Sequence, residues 1–178
     1  VNADYAKNDD NSGISQQPRN GYQGKTAITP NPTGFYDVAL NTEASAKIKQ
    51  YGGSLHIDWD AGPVRVVSIT AKRKNLYVVR DYDTDVTPIK YQTISLDEYS
   101  DNFSQELQII SNGDGAFKWA VGGFYSNQDA GWNDLNFNGA IFKTNTNAKA
   151  LAVFADCTYT LGDFKFTGGI RYNIDRLT

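Results

Sequence analysis

The stretch "LGDFKFTGGIRYNID", residues 161–175, decides the fold. In extended chain Phe164, Phe166, Gly168, Ile170, Tyr172 and Ile174 fall on one face, and Lys165, Thr167, Gly169, Arg171, Asn173 and Asp175 on the other. Strict alternation of this kind marks a strand with one apolar and one wet side. Gly162 and Asp163 ahead of it suit a two-residue hairpin turn with glycine first. The segment before the turn, "AKALAVFADCTYTL", alternates in the same way, with Leu151, Val153, Ala155, Cys157, Tyr159 and Leu161 against Phe154, Asp156, Thr158 and Thr160. Pairing across the turn sets Leu161 against Phe164, Ala155 against Ile170 and Val153 against Tyr172, so the apolar faces coincide.

Two more hairpins are legible upstream. "NFSQELQIIS" and "FKWAVGGFYS" flank "GDG" at 113–115, which suits a three-residue loop with Gly115 left-handed and Ile109 opposite Trp119. "YGGSLHIDWD" and "VRVVSITAKRKNLYVVRDY" flank "AGP" at 61–63, which places Ile57 opposite Val67 and Leu55 opposite Ile69. Between the hairpins lie long polar stretches at 83–101 and 127–147, and residues 1–41 carry no period and read as a long loop. The sequence therefore predicts an all-β, antiparallel up-and-down meander of about six strands over 42–178, with long loops and short turns in alternation. A soluble sandwich has no reason to segregate them; outer-membrane barrels do, with short periplasmic turns and long extracellular loops.

The aromatic residues agree. Tyr51 and Trp59, Phe117 and Tyr125, and Phe164 and Tyr172 are same-face pairs eight residues apart. Eight residues of tilted strand rise roughly 20 Å, near the height of an apolar band between two aromatic girdles. The opposite face would be the lumen, carrying His56, Asp58, Glu106, Asp156 and Arg171, with Asp156 diagonal to Arg171 as an ion pair. The glycine pairs 52–53, 122–123 and 168–169 weaken a strand interior and mark bends or close approaches; Gly52, Gly122 and Gly169 fall on the wet side.

Composition narrows the function. The 178 residues are 40% hydrophobic, with 11 tyrosines, 9 phenylalanines and 3 tryptophans in a chain of net charge −3. The basic residues form no concentrated stripe, which argues against nucleic acid. One cysteine, Cys157, and one histidine, His56, exclude an internal disulfide and a Cys/His metal cluster. No run of ~18 apolar residues forms a membrane helix. "DYDTD" at 81–85 imitates the start of a calcium loop, but Val86 and Gln92 stand where glycine and glutamate are needed, so no metal is expected. No catalytic arrangement is found, and neither enzyme activity nor a cofactor is expected. Both termini read as cut from something longer.

"FSQELQIISNGDGAFKWAVGGFYS", "ALAVFADCTYTLGDFKFTGGIRYNIDR" and "GGSLHIDWDAGPVRVVSITAKR" together resemble the barrel of TonB-dependent outer-membrane receptors over about residues 50–176. Ala155-Asp156 departs from the Gly-Gln common there, and Lys72 from an aromatic. The resemblance implies a 22-stranded transmembrane barrel in the outer membrane of a Gram-negative bacterium, with a plug that is absent here. It implies uptake of a scarce nutrient such as an iron-siderophore, cobalamin or oligosaccharide, with TonB, outer-membrane lipid and a small-molecule ligand as partners. The wet-side glycines would then leave room for curvature and for the plug. Ligand capture would fall to the loops, with Tyr82, Tyr91, Trp132, Asn133 and Phe137 as candidates. A passive porin-type channel and a soluble carbohydrate-binding β-sandwich are the alternatives, the latter requiring a second sheet over the apolar face.

Overall fold

The computed structural model describes residues 1–10, 41–84 and 92–178. They form one antiparallel sheet of seven strands in chain order: β1 (Asn2–Asp10), β2 (Ser45–Asp60), β3 (Val64–Asp83), β4 (Thr93–Ser111), β5 (Phe117–Phe137), β6 (Ala140–Leu161) and β7 (Phe164–Leu177). The all-β meander is as the sequence predicts, with one strand more. That strand, β1, lies inside the stretch read as loop, and pairs from Asn2 opposite Ser54 to Asp10 opposite Ala46. It escaped notice because both its faces are polar, so no alternation marks it.

The β6–β7 register is the predicted one, with Leu161 opposite Phe164 and Ala155 opposite Ile170. Gly162 takes φ 58° while Asp163 does not enter the left-handed region. The other two hairpins differ from expectation. Ile109 faces Val121 rather than Trp119, a slip of two that widens the loop to residues 112–116 and leaves Gly115 outside the left-handed region. Faces survive a slip of two. The β2–β3 register slips by one, so that Ile57 meets Ser68 and Leu55 meets Thr70. Gly62 takes φ 82°, and the Ala61 N–H to Val64 carbonyl bond of 2.9 Å closes the turn around Gly62 and Pro63 in place of the three-residue loop expected. A slip of one exchanges faces. Val67, Ile69 and Ala71 therefore join His56 on the mostly polar side, and Ser68 and Thr70 enter the apolar one.

The largest departure is at 127–147. This stretch is the far half of a long hairpin in which β5 and β6, 21 and 22 residues long, meet at a two-residue turn. Asn138 (φ 49°) and Gly139 (φ 89°) are both left-handed, the backbone that Asn-Gly favours. Irregularities interrupt the pairing at Val79/Tyr82, Asp97/Glu98 and Trp132/Leu135.

The rows of paired residues are slanted relative to the turns. Asp60, the last residue of β2, stands in line with Arg65, Ile110, Ala120, Asp156 and Gly169. Gly169 is the sixth residue of β7, so the line gains five positions over five strand steps. With ~3.3 Å per residue and ~4.8 Å between strands, this corresponds to an inclination of about 35°.

Candidate functional site

Among the described residues nothing covers the apolar face. Trp59, Val66, Ile109, Val121, Ala155 and Ile170 share one row, and Ile57, Ser68, Leu107, Gly123, Val153 and Tyr172 the next. Even on interior strands the side chains stay open, with Leu107 47% and Val153 54% exposed. Leu55, Ile57, Val121, Ile170 and Tyr172 are all exposed on this face. Among the described residues only Ala44, Val67 and Ala152 are buried hydrophobics. The sheet therefore has no core of its own.

One polar group interrupts the band. Gln105 Nε2 donates to Ser68 Oγ at 3.1 Å and to the Glu106 carbonyl at 3.0 Å, while Thr70 Oγ1 donates to Gln105 Oε1 at 2.5 Å. The three side chains satisfy one another, which removes most of the cost of holding them in apolar surroundings. A shallow apolar groove of about 520 Å³ lies toward the short turns, lined by Phe117, Trp119, Cys157, Gly168 and Ile170 among others. Cys157 is a free thiol on this face.

The opposite face carries His56, Asp58, Glu106, Asp156 and Arg171, all brought to one side by the register. Asp58 receives both Nε, at 2.7 Å, and Nη2 of Arg65. Glu106 accepts from Gln108. The expected Asp156–Arg171 ion pair is replaced by another arrangement: Arg171 lies 5.8 Å from the centre of the Phe154 ring and its Nε donates to Asn173 Oδ1 at 2.8 Å. Phe154 in turn leans across Gly122, so closely that a Cβ there would sit 2.3 Å from its ring. An aromatic ring laid over a cross-strand glycine replaces the surface that glycine lacks.

Gly52 has a similar use. It stands between Asp4 and Arg73 in one row, and the Arg73 guanidinium reaches across it to grip both Asp4 oxygens at 3.0 and 2.5 Å. A Cβ at Gly52 would meet the Lys72 carbonyl at 2.8 Å. Gly52 and Gly122 thus seat cross-strand side chains.

The candidate ligand residues do not converge on one pocket. Tyr82, Ile94 and Phe137 share a row at the far end of β3, β4 and β5. Trp132 and Asn133 sit lower, at the β5 irregularity, and Tyr91 lies outside the described residues. All four placed residues are on strands rather than in loops. Asn133 lines a polar groove of about 500 Å³ with Lys74, Tyr99, Asp101, Asp129 and Asn145. In "DYDTD", Asp83 is 2% exposed and one of its oxygens accepts from the Asn41 backbone and side-chain nitrogens, at 3.1 and 3.0 Å. It fastens the chain before β2 to the end of β3. Among the described residues no group of acidic, histidine or cysteine side chains is placed to hold a metal ion.

The short turns are also tied together: Asn112 Nδ2 donates to Asp60 Oδ1 and to the Gly62 carbonyl, at 2.9 and 3.1 Å. Compared with protein-family models, curated proteins and solved structures, the chain matches none.

Proposed function

We propose that this sheet is a section of an outer-membrane β-barrel, its apolar face toward lipid and its polar face toward a lumen. We propose further that the barrel is that of a TonB-dependent receptor importing a scarce nutrient. The observation that carries the first part is the bare apolar face of a single meander sheet. Soluble proteins rarely leave patches beyond a few hundred Å² open, and a sandwich would bury this one beneath a second sheet.

Two features support it. The inclination of about 35° along the rows falls in the range at which strands tilt in closed barrels. Aromatic side chains also border the band: Trp59, Phe117 and Phe164 toward the short turns, Tyr51, Tyr125 and Tyr172 toward the other end. The receptor assignment rests on the three motif stretches alone. A protein of this kind does no covalent chemistry; its barrel places loops outside, anchors in lipid, and leaves energy coupling to its plug and TonB.

The lone thiol tests the lipid-facing assignment. A nitroxide on Cys157, in the whole gene product reconstituted into vesicles, should be accessible to dissolved oxygen and shielded from a water-soluble nickel chelate. The reverse accessibility would overturn the membrane reading. For transport, cells expressing the whole gene product should accumulate its nutrient only while energised. Uptake that survives a protonophore and the loss of TonB would instead favour a passive channel.

A further inference from the structure

Two short runs, "AKIKQY" (46–51) and "AKRKNLY" (71–77), alternate lysine in neighbouring strands. Lys74 lies opposite Tyr51, Lys72 opposite Gly53, and Lys7 of β1 opposite Lys49, with Lys47 two residues along β2. All five lysines therefore stand on the apolar-band face, from one row inside the row where Tyr5 and Tyr51 close the band to two rows beyond it. On the other face the same rows hold one cation, Arg73, already met by Asp4.

The patch is net positive on a chain of net charge −3. Three carboxylates stand among five lysines, Asp9, Asp101 and, beside Asp101 in the Lys74 row, Asp129. Asp9 is shared by Lys7 and Lys47, at 2.6 and 3.6 Å, and Asp101 by Lys72 and Lys74, the latter at 2.9 Å. Lys49 has no carboxylate among the described residues and rests over both tyrosines, 5.9 Å from the Tyr5 ring centre and 5.3 Å from that of Tyr51. Lysine on an exposed strand edge deters pairing with other chains, but that accounts only for Lys7, since β2 and β3 are interior strands.

We propose that this patch binds the phosphates of anionic lipid headgroups in the leaflet beside Tyr5 and Tyr51. Lysine stems lie along apolar surface while the ammonium reaches the headgroup layer, and each such cation attracts anionic lipid. Lys74 shares the tyrosine row, Lys72 stands one row inside it, from where its stem can reach outward, and Lys7, Lys49 and Lys47 stand beyond it; cations clustered about an aromatic row at the edge of an apolar band match the interface between hydrocarbon and phosphate. The inference rests on the membrane reading above.

The test uses the whole gene product in phosphatidylcholine vesicles carrying traces of spin-labelled phosphatidylcholine or spin-labelled phosphatidylglycerol. The protein should immobilise both lipids and prefer phosphatidylglycerol about fivefold. The preference should fall close to one in a Lys49→Gln/Lys74→Gln variant and at high salt, while immobilised phosphatidylcholine persists. Preference unchanged in the variant, or absent from the unmodified protein, overturns the patch and leaves the membrane reading standing. If neither lipid is immobilised, both fall. Inorganic phosphate, compared with chloride at equal ionic strength, should leave the preference in place; if it abolishes the preference, the site takes free anions and the lipid assignment is wrong.

Discussion

At the scale of single residues, glycine is the informative type, because its neighbours differ so sharply. A Cβ at Gly131 would lie 2.0 Å from the Thr144 carbonyl oxygen, which belongs to a paired strand and cannot yield. At Gly122 the obstacle is the far end of a phenylalanine ring, which can swing aside. At Gly168 there is nothing within 4 Å. Alanine at these positions should therefore destabilise in that order, about 3 kcal/mol for Gly131, about 1 for Gly122 and within about 0.5 of zero for Gly168, measured by urea titration of the refolded protein. Equal effects at all three would show that the cross-strand approaches are not as described. A double-mutant cycle adds a change of sign. With Phe154→Ala the ring is gone, and Gly122→Ala should become neutral or stabilising, since glycine in a strand interior is itself unfavourable. None of this is legible in the sequence, where Gly122 and Gly168 stand in pairs that look alike and Gly131 stands alone between Ala130 and Trp132. Their differences arise from partners on neighbouring strands, which only the register identifies.

At the scale of strands and turns, legibility followed polarity contrast. Near the short turns each strand separates apolar from wet positions, and there the sequence located the strands correctly. The β6–β7 register came out right because Gly162-Asp163 admits only a tight turn. The 61–63 and 113–115 turns contain enough glycine to accept several lengths, so their registers slipped by one and by two. Away from the short turns both faces of the sheet are polar, the period of two vanishes, and strand looks like loop. Residues 2–10, 93–101 and 127–147 are strands that read as loop for this reason, although "NG" at 138–139 is a hairpin signal. Trp132, Asn133 and Phe137 read as loop residues on the same ground and lie on β5. Gly139, at φ 89°, makes the correction testable: Gly139→Val should cost about 1–3 kcal/mol and raise amide exchange near the β5–β6 tip, while β6–β7 amides near Gly162 stay protected. Exchange unaffected at the tip would mean that this turn does not exist.

At the scale of the molecule, the sheet is long relative to its apolar band. The band crosses about nine residues of β2, Tyr51 to Trp59, a span that suits a tilted membrane strand, whereas β5 and β6 run on well past it to the Asn-Gly turn. In the proposed orientation the two ends of the hairpins lie on opposite sides of the membrane. An epitope inserted between Asn138 and Gly139 should be reached by antibody on intact cells, and one between Gly162 and Asp163 only after permeabilisation; the opposite pattern would invert the sheet, and labelling of both on intact cells would remove it from the bilayer. The extra length also has a meaning for traffic. In that orientation the dozen residues of β5 beyond Tyr125 would rise roughly 30 Å above the lipid when tilted, about the thickness of the hydrocarbon layer itself. An arriving solute would spend as much of its journey along a hydrated standpipe of Asn, Asp, Thr and Trp as in crossing the membrane, so its first selection would take place well away from the bilayer.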